Sequence, residues 1–258
     1  GLLGIVTEAT LKLLPLPPFK QSLQVFYPKI DDASKTVARI IGSGIVPVAL
    51  ELMDRVVINV VEDAKKIGLP KDVAAMLLVM VDGIESECRN QVRLIEQICK
   101  EEGASRVAIA ENETQEEALW LGRRSALGCM SQLRPNCLLE DVTVPVSNLP
   151  VMIKGIYEIA TKYNLTIGVM AHAGDGNTHP MIVTDKRDKE EWERAEKAIG
   201  DIFKLAVDLG GTLSGEHVVG ISKKPFINLI YGEAEFRVLK DLKKALDPNG
   251  ILNPGKIM

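Results

Sequence analysis

The chain has 258 residues, 46% of them apolar and 26% charged, with a net charge of −4. That composition excludes a disordered chain, and the length allows one large domain or two small ones around a real core. The mild acidity and an aromatic content of only 4% argue against a nucleic-acid partner, which calls for a basic stripe or a stacking surface. Cys88, Cys99, Cys129 and Cys137 form no CxxC pair and read as small buried hydrophobes in a reducing, cytoplasmic protein. No run reaches the ~18–20 apolar residues of a membrane span.

In chain order, residues 4–14 read as a β-branched strand that stops at Pro15, Pro17 and Pro18, the strongest linker signal in the sequence. Residues 20–27 alternate as a strand. Asp31 or Asp32 then caps a helix carrying Val37, Ile40 and Ile41 to Gly42–Gly44. A short strand near 46–51 leads into a helix over 53–67. The almost wholly apolar 74–81 reads as a central strand, followed by a helix over 84–102 with Cys88, Val92, Ile95 and Cys99 on one face. A strand at 106–110 precedes a helix opened by a Thr114/Glu117 capping box and running to about Leu127. Residues 138–146 look extended, and Ser147 caps a helix to Tyr163 with Pro150 in its first turn. Strands at 166–172 and 178–184, an amphipathic helix over 188–209, a helix over 233–246 and an irregular tail complete the pattern. Paired strands mixed with helices imply an α+β fold, a large and mainly antiparallel sheet flanked by helices. No phosphate-binding glycine loop is present.

The chemistry concentrates on the only three histidines, His172, His179 and His217. With Asp175–Gly176 as a two-residue hairpin turn, His172 stands directly opposite His179, and both imidazoles can reach one metal. Glu216 in the segment SGEHVVG offers a third ligand. Two histidines and one glutamate leave open positions, as catalytic metal sites do. His217, adjacent and pointing elsewhere, is a free imidazole suited to general-base work. A separation of 37 residues between His179 and Glu216 leaves their meeting to the fold.

These segments carry a resemblance. HAGDGNTHP (172–180) resembles the HxGDGNxHP motif of the FAD-linked oxidases that include the glycolate oxidase flavin subunit, D-lactate dehydrogenases and D-2-hydroxyglutarate dehydrogenase, within the vanillyl-alcohol-oxidase-like flavoproteins. SGEHVVG, DPNGILNPGKI (247–257) and GLLGIVTEATLKLLPLPP (1–18) resemble further segments of the family, in the same order. The resemblance implies a cap domain with ferredoxin-like elements over 19–246, preceded by the end of an FAD-binding domain (1–18). It also implies a tail (247–258) that returns to that domain. The implied chemistry is oxidation of a 2-hydroxy acid to a 2-oxo acid with hydride transfer to FAD, the flavin being held mainly by the other domain. His172, His179 and Glu216 would hold zinc, manganese or iron, and His217 would be the base. Arg123, with Arg124 beside it, would bind the substrate carboxylate, and Asn253 would lie near the flavin. Implied partners are the chain's own FAD-binding domain, an iron–sulfur subunit or quinone as electron acceptor, and a second copy in a homodimer. The implied location is the cytoplasm or the membrane periphery.

Two departures stand out. The family has Gly after the SGEH histidine, where this chain has Val218, a residue expected to resist φ > 0. The family's dicarboxylate enzymes place a Lys before the DxSxP stretch. Here Leu139 and Glu140 precede DVTVP (141–145), which favours glycolate or lactate over a dicarboxylic acid. A flavin-independent metal hydrolase and a non-catalytic metal-binding module are the alternatives.

Overall fold

A computed structural model describes residues 1–257. Regular structure begins with β1 (Phe19–Tyr27), where the alternation of the sequence becomes a strand lying between two others. The elements that follow are α1 (Ile30–Gly42), β2 (Ala49–Asp54), α2 (Arg55–Lys65), β3 (Ala75–Gly83), α3 (Glu85–Glu101), β4 (Arg106–Ile109), α4 (Glu113–Met130), β5 (Asn136–Leu139), β6 (Val142–Thr143), α5 (Leu149–Tyr163), β7 (Thr166–His172), β8 (Asn177–Thr184), α6 (Lys189–Asp208) and α7 (Glu233–Leu246). Seven strands form one sheet in the order β4-β1-β3-β2-β7-β8-β5, with β6 also paired to β8, and every pairing is antiparallel. This is the α+β architecture expected from the sequence.

The period of two along the strands sorts the sheet into two cores. Leu23, Val25, Leu50, Leu52, Leu77 and Val79 face the helices α1, α3, α5 and α6. Phe26, Met53, Met76, Leu78, Met170 and Met181 face α2 and α4. Continuing the same alternation, Glu51, His172 and His179 fall on the α2/α4 face, two residues beyond Met53, Met170 and Met181 respectively. The apolar layer therefore gives way to a polar end on the same face.

Several local expectations shift. Residues 1–18 form no strand; they run exposed, with Val6, Leu13, Leu14 and Leu16 open to solvent, because no neighbouring strand pairs with them among the described residues. Helix α1 starts one residue before Asp31, so Asp31 and Asp32 serve its first turn as charges near the helix dipole rather than as caps. Asn112, not Thr114, caps α4 and accepts the N–H of Gln115. Ser147 lies in a short 3₁₀ turn, Val146–Asn148, ahead of α5. All four cysteines are free, as expected, and burial pushes Cys99 up to about 11, which leaves it an inert thiol. Among the described residues no helix is long and apolar enough to cross a membrane.

Asp54 closes β2 and opens α2. It is fully buried, accepting the N–H of Val57 at 2.9 Å and the hydroxyl of Tyr157 at 3.1 Å. Burial pushes its carboxyl from 3.8 to about 7. The folded state thus binds a proton there that the unfolded chain has already released, and stability is lost as pH rises through that interval. We expect the stability difference between the wild type and Asp54→Asn to move against the wild type by up to about 4 kcal/mol between pH 4 and 7, and to be flat above. Urea unfolding at both pH values tests this; a pH-independent difference would contradict it.

Candidate metal and substrate site

The β7–β8 connection builds the first half of the site. Its register differs from the expected one: His172 pairs with Asn177, and His179 with Met170. The turn has four residues, a 3₁₀ turn Ala173–Asp175 followed by Gly176 in the left-handed region at φ +70. Packing against β6 sets this shape, because Gly176 approaches Val144 so closely that a Cβ would lie 2.0 Å from its carbonyl oxygen. A two-residue shift keeps side chains on the same face, whereas a shift of one would have separated them. His172 and His179 are therefore diagonal neighbours, with ring centroids 5.0 Å apart and edge to face.

The second half arrives on the loop after α6. Gly215 lets this loop press on the hairpin, since a Cβ there would lie 2.3 Å from Thr143 Oγ1 and 2.8 Å from Asn177. Asp141, fully buried after β5, accepts the backbone N–H groups of Glu216 (2.6 Å) and His217 (2.8 Å) and pairs with the buried Lys223 ammonium. Burial works against its charge, but those two N–H groups and Lys223 outweigh it and hold the carboxyl below its usual range. Neighbouring Glu140 goes the other way, pushed up to about 7 by burial despite Lys223 3.8 Å away.

So held, Glu216 Oε1 lies 3.1 Å from His179 Nε2, 3.4 Å from His172 Nε2 and 3.8 Å from His217 Nε2. His217 thus does not point elsewhere: its ring stacks on His179 at 5.3 Å, with Nδ1 3.7 Å from Asp141. Ligand atoms of His172, His179 and Glu216 lie within 4.8 Å of one another. His172 Nδ1 is taken up by Glu51 Oε1 at 2.7 Å, which leaves Nε2 as its free donor. That bond to Glu51, set against burial, raises the His172 pKa, whereas burial and the His172 charge lower that of His179. Two imidazoles and a carboxylate converging on one point are a donor set that fits an open divalent-cation site.

Arg123 reaches the same cluster from α4. Its Nε and Nη2 each lie 3.0 Å from Glu51 Oε2. Trp120, one turn earlier, donates to Ser22 on β1 and holds the helix to the sheet. Arg124 does not join the site; it pairs with Glu117 on the exposed face of α4. Asn253 lies in the tail and donates to the Gly1 carbonyl at 2.7 Å. Val218 adopts the conformation expected to be closed to it, φ +62, with its side chain 70% exposed: the loop is fixed on both sides, and open solvent removes the crowding. Glu51, Asp141 and Lys223 were not singled out from the sequence. The available signals were an acidic residue inside the apolar strand ALELMD and an acidic pair inside LLEDV.

Comparison with known proteins agrees with this fold. Residues 16–257 match the family model of the C-terminal domain of FAD linked oxidases, and the chain belongs to that family. It is 45% identical over 257 residues to the glycolate oxidase subunit GlcD of Bacillus subtilis (strain 168), covering 100% of this chain and 55% of that protein. It is 37% identical to GlcD of Escherichia coli (strain K12), covering 99% and 51%. With a probable mitochondrial D-lactate dehydrogenase of Danio rerio it shares 32%, covering 100% and 52%. The chain thus spans about half the length of these relatives. Among solved structures, 4-ethylphenol oxidase from Gulosibacter chungangensis superposes with a TM-score of 0.71 at 16% identity, covering 95% of this chain and 55% of that one. p-Cresol methylhydroxylase gives 0.69 at 15%, covering 95% and 53%.

Two outcomes follow. Asp141→Ala leaves the buried Lys223 only the more distant Glu140 and should cost about 3–5 kcal/mol, partly regained in Asp141→Ala/Lys223→Met. Thermal unfolding measures the cost, and faster amide exchange at Glu216 and His217 reports the freed loop. Val218→Gly should gain about 1 kcal/mol by relieving the left-handed β-branched residue; an unchanged or lower unfolding midpoint would count against that strain.

Proposed function

We propose that this chain is the substrate- and metal-binding part of an FAD-dependent 2-hydroxy acid dehydrogenase or oxidase of the glycolate or D-lactate type. The observation that carries the reading is the convergence of three histidine Nε2 atoms on Glu216, with Arg123 tied to the same cluster through Glu51. Family membership supplies the redox partner. When bound, FAD accepts the two electrons and the C2 hydrogen as hydride, and a divalent cation held by His172, His179 and Glu216 makes the substrate hydroxyl more acidic.

The chain's own residues do the rest. Arg123 anchors the substrate carboxylate with the part of its guanidinium not engaged by Glu51. His217 Nε2 takes the hydroxyl proton, and Asp141 near its Nδ1 steadies the positive charge this creates. A 2-oxo acid leaves. The cation is zinc, manganese or iron, all compatible with a His₂Glu set. Support for FAD beside this cluster comes from a groove of about 640 Å³ lined by Gly1, Ile5, Val6, Val218, Asn253 and Ile257. Its Val218 wall directly follows His217. A monocarboxylic substrate is favoured because the position of the family's second-carboxylate lysine is occupied by Glu140, and nearby Lys223 is committed to Asp141. The acceptor we assign is an iron–sulfur subunit or quinone, in line with the relatives being called subunits. The free cysteines accord with a cytoplasmic setting. A flavin-free hydrolase would leave the match over residues 16–257 without a reason.

The test is flavin bleaching by a panel of 2-hydroxy acids on the full-length protein, with metal content determined alongside. Glycolate or D-lactate should bleach the flavin and 2-hydroxyglutarate should not. His217→Ala should retain metal and lose about 10²–10⁴ in turnover. Arg123→Lys should raise KM more than it lowers kcat. A colourless protein, or normal turnover in His217→Ala, would overturn the assignment.

A further inference from the structure

We propose that Glu51 is a positioning residue that couples the two halves of the site, so that cation and substrate carboxylate bind cooperatively. The inference rests on the metal and carboxylate roles given above for His172 and Arg123. It assigns a role to a residue in neither group.

One carboxylate is divided between two tasks. Oε1 accepts from His172 Nδ1 at 2.7 Å, and Oε2 accepts from Arg123 Nε at 3.0 Å, with the charged Nη2 also 3.0 Å away. The first bond fixes the imidazole with its proton on Nδ1 and its lone pair on Nε2, the nitrogen that faces Glu216. The second takes the side edge of the guanidinium and leaves Nη1 uncommitted. Glu51 itself has no freedom to yield. Its backbone lies in mid-sheet, paired with Leu78 on one side and with His172 on the other, and the residue is only 7% exposed. Its charge is therefore shared between two cationic or polarised neighbours in a place with little water, where such bonds are strong.

The sign of the coupling follows from that sharing. A cation on His172 Nε2 makes the Nδ1–H a stronger donor and draws the Glu51 charge toward Oε1. Arg123 is then less fully neutralised and attracts an incoming carboxylate more strongly. Conversely, a carboxylate on Arg123 loosens its hold on Oε2, so Glu51 accepts more strongly from His172 and raises the basicity of Nε2. Each ligand tightens the other by the same factor, as linkage requires.

The experiment measures Mn²⁺ binding to metal-stripped protein by the electron paramagnetic resonance signal of the free ion, with and without pyruvate as the carboxylate probe. In the wild type, pyruvate should tighten Mn²⁺ by roughly fivefold or more. Glu51→Gln should weaken Mn²⁺ about 10–100-fold and abolish the effect of pyruvate. Arg123→Met, which frees Oε2 outright, should abolish the effect of pyruvate and by itself tighten Mn²⁺ by roughly the same fivefold. No pyruvate effect in the wild type, or Glu51→Gln within about twofold of it with coupling intact, overturns the proposal. His172→Ala separates the two levels: Mn²⁺ bound as tightly without His172 defeats the metal-site reading itself, and this proposal with it. Should Glu51→Gln not fold, the ¹⁵N shifts of His172 in the metal-free wild type decide. The Nδ1–H tautomer supports the role, and the Nε2–H tautomer overturns it.

Discussion

The Asp141 carboxylate is the interaction on which the site depends. It joins two parts of the chain about 75 residues apart, taking the N–H groups of Glu216 and His217 and the ammonium of Lys223. Without it the histidine hairpin would exist, but the loop bearing Glu216 and His217 would lose the bonds that place it there. A buried carboxylate is costly to desolvate, and only a full set of donors makes it tolerable. The same donors that compensate for that cost are the backbone atoms that have to be located. Positioning and charge compensation are here one event.

The sheet explains why the site lies where it does. On the α2/α4 face the strands present methionines, Met53, Met170 and Met181, and two residues further along they present Glu51, His172 and His179. A single alternation along each strand thus supplies both the apolar core and the polar cluster beside it. Arg123 follows the same rule on α4. It stands one turn before Ala126, on the stripe that continues to Cys129 and Met130, so the face that anchors the helix also aims the guanidinium.

Most of the fold was legible because it is local. Alternation gives β1, an unbroken apolar run gives β3, and amphipathic stripes give α3 and α6 almost to their ends. The pairing of His172 with His179 was read in the wrong register but on the right face, since only the parity of the offset matters to which side a residue occupies. What could not be read was set at long range. The helix starts are a local exception: Asn112 takes the cap of α4 in place of Thr114, and α1 begins at Ile30 without a side-chain cap. Residues 4–14 had strand character without a strand to pair with. Glu51 and Asp141 look like ordinary acids until the sheet and the loop bring their partners, and Val218 accepts a left-handed backbone because the bonds on either side of it outweigh its own preference.

The two ends of the chain are also tied. Lys243 on α7 donates to the carbonyls of Leu2 and Leu252, and Asn253 donates to Gly1. Between these points the body from β1 to α7 is rigid, so the clasp has only the short arms on either side to restrain, an entropic cost of roughly 3 kcal/mol. The Asn253 bond is exposed and the two from the Lys243 ammonium are part-buried, and at about 1–3 kcal/mol each they offset that cost. The clasp can therefore part and rejoin while the sheet stays intact. Because the groove beside Val218 is walled by those same arms, its width follows the clasp, and access to His217 can change without any strand having to move.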